Sequence, residues 1–410
     1  MSLLSVDEAR ERILSQFKPV KTETLPLAEA SNRVLAQDVR AANDLPLFDN
    51  SSMDGFAVLA SDVNAAAPES PRNLRVVADI PAGTHPKIAL APGEAARIMT
   101  GAQMPDGADA VVPVEDTDFE NRDAGTPAPE RVAVKKTVRE GENVRRRGTD
   151  LQAGRIVLKA GRQLKPQDLG LLAMLGVPSV PVYRRPRVAL LSSGDELISA
   201  DAPLEAGKIR DSNSYTLAAL VEDAGAEAIR LGVARDHFDS VKTLFEKAVS
   251  LRADLILSSA GVSVGAFDYV KVVIEEHGRM DFWRVNMRPG KPVAFGEYRR
   301  IPFIGLPGNP VSAFVGFEVF VRPALQKLGG SSSRGRQTVR VKIEEEIRSD
   351  GRESYLRAQV REAEGILIAR LTGHQGSGNL HSLVQANALL IIPAGVKCVP
   401  AGQEVQAWML

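Results

Sequence analysis

The sequence predicts a multidomain protein of the α/β plus β class, and three observations carry that prediction. Short apolar runs alternate with helical patterns from residue 184 to 328. Before that stretch, Pro, Gly, Asp and Ala punctuate short apolar runs between residues 43 and 145. After it, a Gly/Ser-rich connector leads into segments that alternate apolar and polar residues. Strand and helix in alternation give a mostly parallel sheet with right-handed crossovers, whereas frequent turn signals between short runs give a β-rich module.

Composition narrows the class. At 410 residues the chain has room for two to four domains, each with its own core. Basic and acidic residues number 51 each, so the basic excess that sustains nucleic-acid or anionic-membrane binding is missing. Hydrophobic residues at 44% and charged residues at 25% are ordinary globular usage rather than that of a disordered chain. No apolar run is long enough to span a bilayer, and the amino end MSLLSVDEARERIL is too acidic for a signal peptide. The single cysteine, Cys398, excludes an internal disulfide and a thiolate cluster for zinc or iron–sulfur. The five histidines have no HExxH spacing, and no P-loop motif occurs. A soluble, cytoplasmic protein is expected, with no nucleic acid and no membrane among its partners.

The elements follow in order. Ser5-Val6-Asp7-Glu8 is a capping box that opens a helix whose Val6, Ala9, Ile13 and Phe17 share one apolar face. A second helix is expected over 27–36. Within the punctuated stretch, 74–77, 110–114 and 132–134 read as strands and 118–129 as a polar loop. From Arg184 onward, 188–191, 228–231, 255–257 and 303–306 read as strands, with helices at 215–224, 240–251, 269–276 and 311–328. GGSSSRGR at 329–336 is a linker by composition. Beyond it, 338–344, 354–360, 366–371, 388–392 and 404–408 alternate like strands of a small carboxyl-terminal β domain.

Ligands of such sheets bind beyond the carboxyl ends of the strands, where SSGDE, SSAGVSVG and GLPGNP fall. The small residues of 258–265 let backbone N–H groups turn toward a guest at a helix start, a ready anion site. Acids recur at the same strand ends: Asp195 and Glu196, Asp236 after Arg235, and Asp268. One such acid is ordinarily a helix cap, but acids at three strand ends along one sheet edge suit a hydrated Mg²⁺, which takes one or two carboxylates plus phosphate oxygens. Arg284, Arg288 and Lys291 fall close together beside Pro289 and Pro292. A charge run is ordinarily a solvated face, yet cations on a stiffened segment also suit a doubly charged oxyanion. Asn309 and Pro310 stand where a helix start takes a cap and a proline, which by itself makes a good turn. For NSSMDGF at 50–56 the residues leave an Asp-Gly turn and a site equally open.

Taken in order, NSSMDGFAV at 50–58, IMTGAQMPDGADAVVPVED at 98–116, VRRRGTD at 144–150, SSGDEL at 192–197, SSAGVSVGAFDYVK at 258–271, RPGKPVAFG at 288–296, GLPGNPVSAF at 305–314 and GHQGSG at 373–378 resemble the signature blocks of the molybdopterin molybdenumtransferase family. These are bacterial molybdenum-insertion enzymes related to the gephyrin E domain, and the resemblance covers nearly the whole chain. It implies a homodimer with its active site between subunits, and four domains. These are a molybdopterin-binding three-layer α/β domain at 184–328 with the helix of 1–20 packed on it, a connecting domain at 21–42 and 146–183, the β-rich module at 43–145, and a β-barrel-like end at 329–410. The implied reaction joins molybdate to adenylylated molybdopterin, releases AMP and uses Mg²⁺. By the same resemblance Asp54, Thr100, Asp150, Glu196, Asp236 and Asp268 are catalytic positions, the last three of them metal-linked. Ser259, Gly261, Val262, Ser263 and Gly265 form the phosphate-holding nest. Arg284, Arg288, Lys291, Ser312, Arg357 and Ser377 serve the oxyanion, and Pro307, Asn309 and Pro310 belong to the same ligand site. The resemblance extends the partners to the molybdopterin adenylyltransferase and to molybdoenzyme maturation factors. The sequence departs from the family pattern at Ala260, where glycine is usual, and at Arg284 and Arg288, where lysine is common. An alanine held at positive φ would strain the loop by roughly 1 kcal/mol or more. Two other readings stand beside the transferase: a molybdopterin adenylyltransferase, and a non-catalytic scaffold paralogue that binds molybdopterin without turnover.

Overall fold

A computed structural model describes residues 3–410 apart from 121, 122, 124, 261–268, 334 and the side chain of Trp283. The chain divides into two compact units, Met1–Gln37 with Ala160–Leu410, and Asp38–Lys159.

The larger unit is built on a six-stranded sheet. Its spatial order is Glu227–Ala234, Arg187–Ser193, Leu255–Ser259, Ile301–Leu306, Pro292–Tyr298 and Gly278–Arg284. The first four strands are parallel and the last two antiparallel. Successive strand residues face opposite sides. Val188, Leu190, Leu255, Leu257 and Ile304 therefore join a core with the helix Val6–Ser15 and the helices from 213 and 310 onward. Ala189, Leu191, Ile256 and Phe303 join the opposite core, under Phe238–Ser250 and Tyr269–His277. Helices on both faces of a mostly parallel sheet make the expected three layers. The amino-terminal helix starts as the sequence indicates, with the Glu8 N–H donating to Ser5 Oγ at 3.1 Å and Val6, Ala9 and Ile13 buried.

Three expectations need correction. The helix over 27–36 is only a 3₁₀ turn, Leu27–Glu29. Asn32 there adopts φ 60°, and the N–H groups of Asn32, Leu35 and Ala36 donate to the carbonyls of Leu164, Arg162 and Pro181, so pairing with a distant segment outcompetes the local helix. The helix over 311–328 is interrupted by a π-turn at Phe317–Val321. Pro323 lies just beyond, lacks an N–H and crowds the carbonyl four residues back, a sufficient cause for the wider turn. Finally, the stretch from 278 to 298, taken in part as a stiff loop, contains the antiparallel strands Gly278–Arg284 and Pro292–Tyr298.

The Gly/Ser-rich connector is pinned rather than loose. Arg336 donates to both oxygens of Glu318 at 3.0 Å, and Glu318, fully buried, also holds Arg322 at 2.6 and 2.9 Å. Ser332 N–H reaches the Gly161 carbonyl at 2.9 Å. Beyond it, Glu353–Ala363, Ile366–Leu371, Thr338–Ile343, Glu404–Met409 and Ala388–Ile392 pair in that order, and the last returns to the first. This closed five-stranded barrel leaves no free edge. Val341, Leu356, Ala358, Leu390 and Ala407 fill it.

The smaller unit centres on a five-stranded sheet ordered Ala110–Pro113, Gly55–Val58, Glu94–Ile98, Arg72–Ile80 and Arg131–Val134. Gly55 is dictated by close approach: a Cβ there would lie 2.0 Å from the Val112 carbonyl oxygen. The arginines of VRRRGTD staple two loops together. Arg146 pairs with Asp49 at 2.8 Å and Arg147 with Asp44 at 2.7 Å. No helix among the described residues is long and apolar enough to cross a membrane.

Candidate functional site

The chain leaves the Arg187–Ser193 strand toward one neighbour and later returns on the other side as Leu255–Ser259. Ligands of open α/β sheets bind at such a reversal of strand order, outside the carboxyl ends. A cleft of about 650 Å³ opens there. Its floor and walls include Glu196, Asp211, Asn213, Ser259, Ala260, Pro307, Gly308, Asn309 and Pro310, with Gly378 from the barrel.

Each contributor is placed by local physics. Asp211 and Asn213 lie where the loop after the first strand enters the helix Asn213–Asp223, and both are buried. Asp211 accepts the Ser214 N–H at 3.0 Å and the Ser192 hydroxyl at 3.1 Å. Asn213 Nδ2 donates to Ser259 Oγ and to the Gly308 carbonyl, both at 2.7 Å, and so ties the third strand to the GLPGNP turn. Asn309 occupies the cap position of the helix Pro310–Gly316 and Pro310 its first turn, but the Asn309 side chain makes no capping bond. Ala260 stands at φ 69°, the left-handed region that disfavours a Cβ. Its methyl sits 3.2 Å from where a Cβ on Gly308 would lie.

Of the expected acids, Glu196 lines the cleft. Asp236 lies beside Asp195, each accepting the other's backbone N–H at 3.3 and 3.4 Å, and Asp236 also accepts the Ser193 hydroxyl at 3.0 Å. Among the described residues no group of three His, Cys, Asp or Glu side chains is poised to hold a metal. Asp268, with Gly261, Val262, Ser263 and Gly265, lies outside the described residues.

The expected cations differ in how committed they are. Arg284 and Lys291 are exposed, and neither side chain has an ion-pair or hydrogen-bond partner among the described residues. Arg288 stands 3.9 Å from Asp350, a carboxyl held below its ordinary range mainly by its bond to Arg352. The short strand Met287–Arg288 pairs with Glu353–Ser354 at the start of the barrel. Arg357 is fully buried, and its donors go to neutral acceptors: Ser382 Oγ at 3.0 Å and the carbonyls of His374, Gln375 and Gly376 at 3.1 to 3.3 Å. Burial, and then the charge of Arg288, push its guanidinium down to about 10. Arg357 thus pins the loop that carries Ser377, whose carbonyl accepts the Val311 N–H at 3.0 Å. Ser312 is buried one residue further along that helix.

Asp54, Thr100 and Asp150 belong to the smaller unit. The turn-or-site question at 50–56 receives a partial answer: Asp54 Oδ1 accepts both the backbone N–H and the hydroxyl of Thr100, each at 2.7 Å. Those bonds hold the Asp54 carboxyl below its ordinary value. A cavity of about 310 Å³ adjoins Asp54, lined also by Phe56, Arg97 and Phe119. Asp150 is exposed and paired with Arg145 at 2.6 Å. Reading the sequence missed Asp211 and Asn213. The available signal was IRDSN itself, polar residues at a helix start directly after a strand-end loop.

The geometry defines a multidomain protein whose three-layer α/β domain holds a polar ligand cleft at its strand-order reversal. The family is settled by comparison: residues 4–176 match the model of the MoeA N-terminal region (domain I and II), 189–327 that of a probable molybdopterin binding domain, and 340–410 that of the MoeA C-terminal region (domain IV). The chain is 43% identical to a molybdopterin molybdenumtransferase of a Nostoc species over 94% of its own length and 88% of the relative's. It is 36% identical to one of Bacillus subtilis over 99% and 94%. A crystal structure of the molybdopterin biosynthesis moeA protein from Pyrococcus horikoshii superposes with a TM-score of 0.84 at 31% identity, covering 100% of both chains. The chain belongs to the molybdopterin molybdenumtransferase (MoeA) family.

Proposed function

We propose that this chain inserts molybdenum into molybdopterin, taking molybdate and adenylylated molybdopterin to molybdenum cofactor and AMP. The observation that supports this most is the 650 Å³ cleft at the sheet's strand-order reversal, in a chain matched over nearly its full length by enzymes of that name. Molybdate is a dianion, and Arg284 and Lys291 are cations with no described partner to displace. The loop that Arg357 pins offers Ser377 and Gly378 beside the same helix start. Oxygen donors from one or two carboxylates are what Mg²⁺ takes, and Glu196 and Asp236 fit that requirement. Bound there, the ion would neutralise charge that develops as the phosphoanhydride opens. The chain's own residues orient the substrate: Asn213 fixes the cleft floor by its bonds to Ser259 and Gly308.

The finer assignments are part of the same proposal. They comprise the four-domain division, a homodimer in which Asp54, Thr100 and Asp150 face the partner's cleft, the catalytic acids, and contact with a molybdopterin adenylyltransferase or with maturation factors. The test is to mix purified protein with adenylylated molybdopterin, molybdate and Mg²⁺ and to follow AMP. Release above a protein-free control is expected, and its absence removes the proposal. A scaffold paralogue that binds without turnover is the second reading, favoured by the left-handed Ala260. Tight pterin binding without AMP release, with release restored in Ala260→Gly, would select it.

A further inference from the structure

The polarity of the cleft floor has a consequence for what part of a ligand it can meet. Asn213 is nine-tenths buried, and the Gly308 carbonyl fixes the orientation of its amide, because only Nδ2 can satisfy that acceptor. Nδ2 spends both hydrogens, one on Gly308 and one on Ser259 Oγ. The other end of the amide, Oδ1, accepts no bond from a described residue. It is not sealed in either, since among the described residues the one buried polar side-chain atom without a partner is His277 Nε2. Asn213 lines the cleft, so Oδ1 is an acceptor offered to it. Asp211 and Glu196 line the same cleft with carboxylate oxygens. Each Asp211 oxygen takes a single donor among the described residues, which leaves further lone pairs. An oxyanion set against Asn213 Oδ1 and the Asp211 carboxylate would be repelled. A group rich in N–H donors would be held. Pro292, Pro307 and Ile209 supply flat or apolar wall, suited to a planar ring.

We propose that Asn213, with Asp211 beside it, forms a donor-reading subsite that takes the amino-pyrimidinone edge of a pterin ring, with Asn213 Oδ1 as the selecting acceptor. This rests on the reading of the cleft as a molybdopterin site and deepens it. The ring then lies along the Asp211–Asn213 floor, and the anionic parts of the substrate point away from it. Asn213 therefore has two duties: its Nδ2 positions the Gly308 turn against the third strand, and its Oδ1 discriminates among rings.

The experiment separates those duties. Pterin-6-carboxylate carries a 2-amino donor, whereas lumazine-6-carboxylate carries a carbonyl there and is otherwise nearly the same shape. Both are fluorescent and can be titrated directly into the full-length protein. A site built to bond a donor rejects the analogue that lacks it. The wild type is expected to bind the pterin about tenfold or more tightly than the lumazine. In Asn213→Ala that ratio should fall to within about twofold, whatever happens to the absolute affinities. A purely structural role would weaken both rings alike and leave the ratio unchanged, which overturns the proposal. Equal affinities in the wild type, or no pterin binding, also overturn it, and this measurement stands even if the variant fails to fold. The readout is independent of AMP release, so failure of the transferase reading and failure of this subsite are distinguishable.

Discussion

The contact between Ala260 and Gly308 gives the sharpest quantitative prediction. Gly308 is not at positive φ, so its backbone tolerates a side chain, and what a Cβ would meet decides the outcome. In the wild type that Cβ would stand 3.2 Å from the Ala260 methyl. Carbon pairs prefer about 3.5–4.0 Å, so one group must give by a few tenths of an ångström. The segment is tied by Asn213 on one side and by the Ala260 N–H bond to the Leu306 carbonyl at 3.0 Å on the other, which limits relaxation. Overpacking of this size costs about 1–2 kcal/mol. In an Ala260→Gly background the next atom is the Cα of residue 260 at 3.8 Å, an ordinary contact, and Gly308→Ala should cost nearly nothing. Ala260→Gly alone removes a left-handed alanine, a gain of about 1–2 kcal/mol, against about 0.4–1 kcal/mol for the freer unfolded chain. It should therefore stabilise by about 0.5–1 kcal/mol. The assay is a double-mutant cycle read by hydrogen exchange at the Ala260 amide, which reports local opening rather than unfolding of the whole multidomain chain. A coupling of about 1 kcal/mol is expected. Additivity within about 0.3–0.5 kcal/mol would show that the two residues do not press on each other, and the account of the cleft floor would fail.

Other predictions follow from separate parts of the molecule. Arg322→Met leaves Glu318 buried with Arg336 as its remaining close cation, and removing one partner from a buried set costs about 3–5 kcal/mol; a thermal midpoint within a degree of wild type would contradict this. Gly55→Ala drives a Cβ onto the Val112 carbonyl at 2.0 Å, so proteolysis should attack the Asp38–Lys159 unit faster, and unchanged resistance would refute the packing described. Thr100→Val removes a hydroxyl bond to Asp54, whose carboxyl is held low mainly by the Thr100 N–H and then by that hydroxyl. A depressed carboxyl contributes stability above its unfolded value and loses it as pH falls through the folded one. The variant should therefore titrate closer to the ordinary 3.8 by NMR, and no upward movement would mean that the hydroxyl bond does not form. Replacing Lys291 and Arg284 together by Gln should weaken molybdate use more than pterin binding, seen as a raised KM for molybdate.

How much could be read from the residues differs by kind of feature. The parallel strands were legible because Leu255–Ser259 and Arg187–Ser193 are short continuous apolar runs, the signature of strands covered on both faces. The barrel strands were legible by alternation. The expected helix over 27–36 failed because its N–H groups are claimed by residues 162–181, a non-local competition that leaves no trace in local pattern. Gly278–Arg284 and Pro292–Tyr298 were obscured because their cations and prolines read as loop. For the candidate site, family order named the Glu196 and Asn309 segments, which line the cleft, and the Lys291 segment. Asp211 and Asn213 were invisible because their importance comes from burial against Ser192, Ser259 and Gly308, contacts made only when the sheet closes. Ala260 is the case where a departure noticed in sequence acquired physical content, a left-handed φ and a methyl against a glycine.

The most direct test of molybdenum insertion is a single-turnover measurement that counts both products. Protein loaded with adenylylated molybdopterin and Mg²⁺ is mixed with molybdate, quenched, and the released pterin fraction is assayed for molybdenum by mass spectrometry alongside AMP by chromatography. Insertion predicts that AMP and pterin-bound molybdenum appear together, one for one, and that neither appears when molybdate is withheld. AMP released without molybdenum entering the pterin, or molybdenum-free pterin recovered with its adenylate intact, would contradict the account.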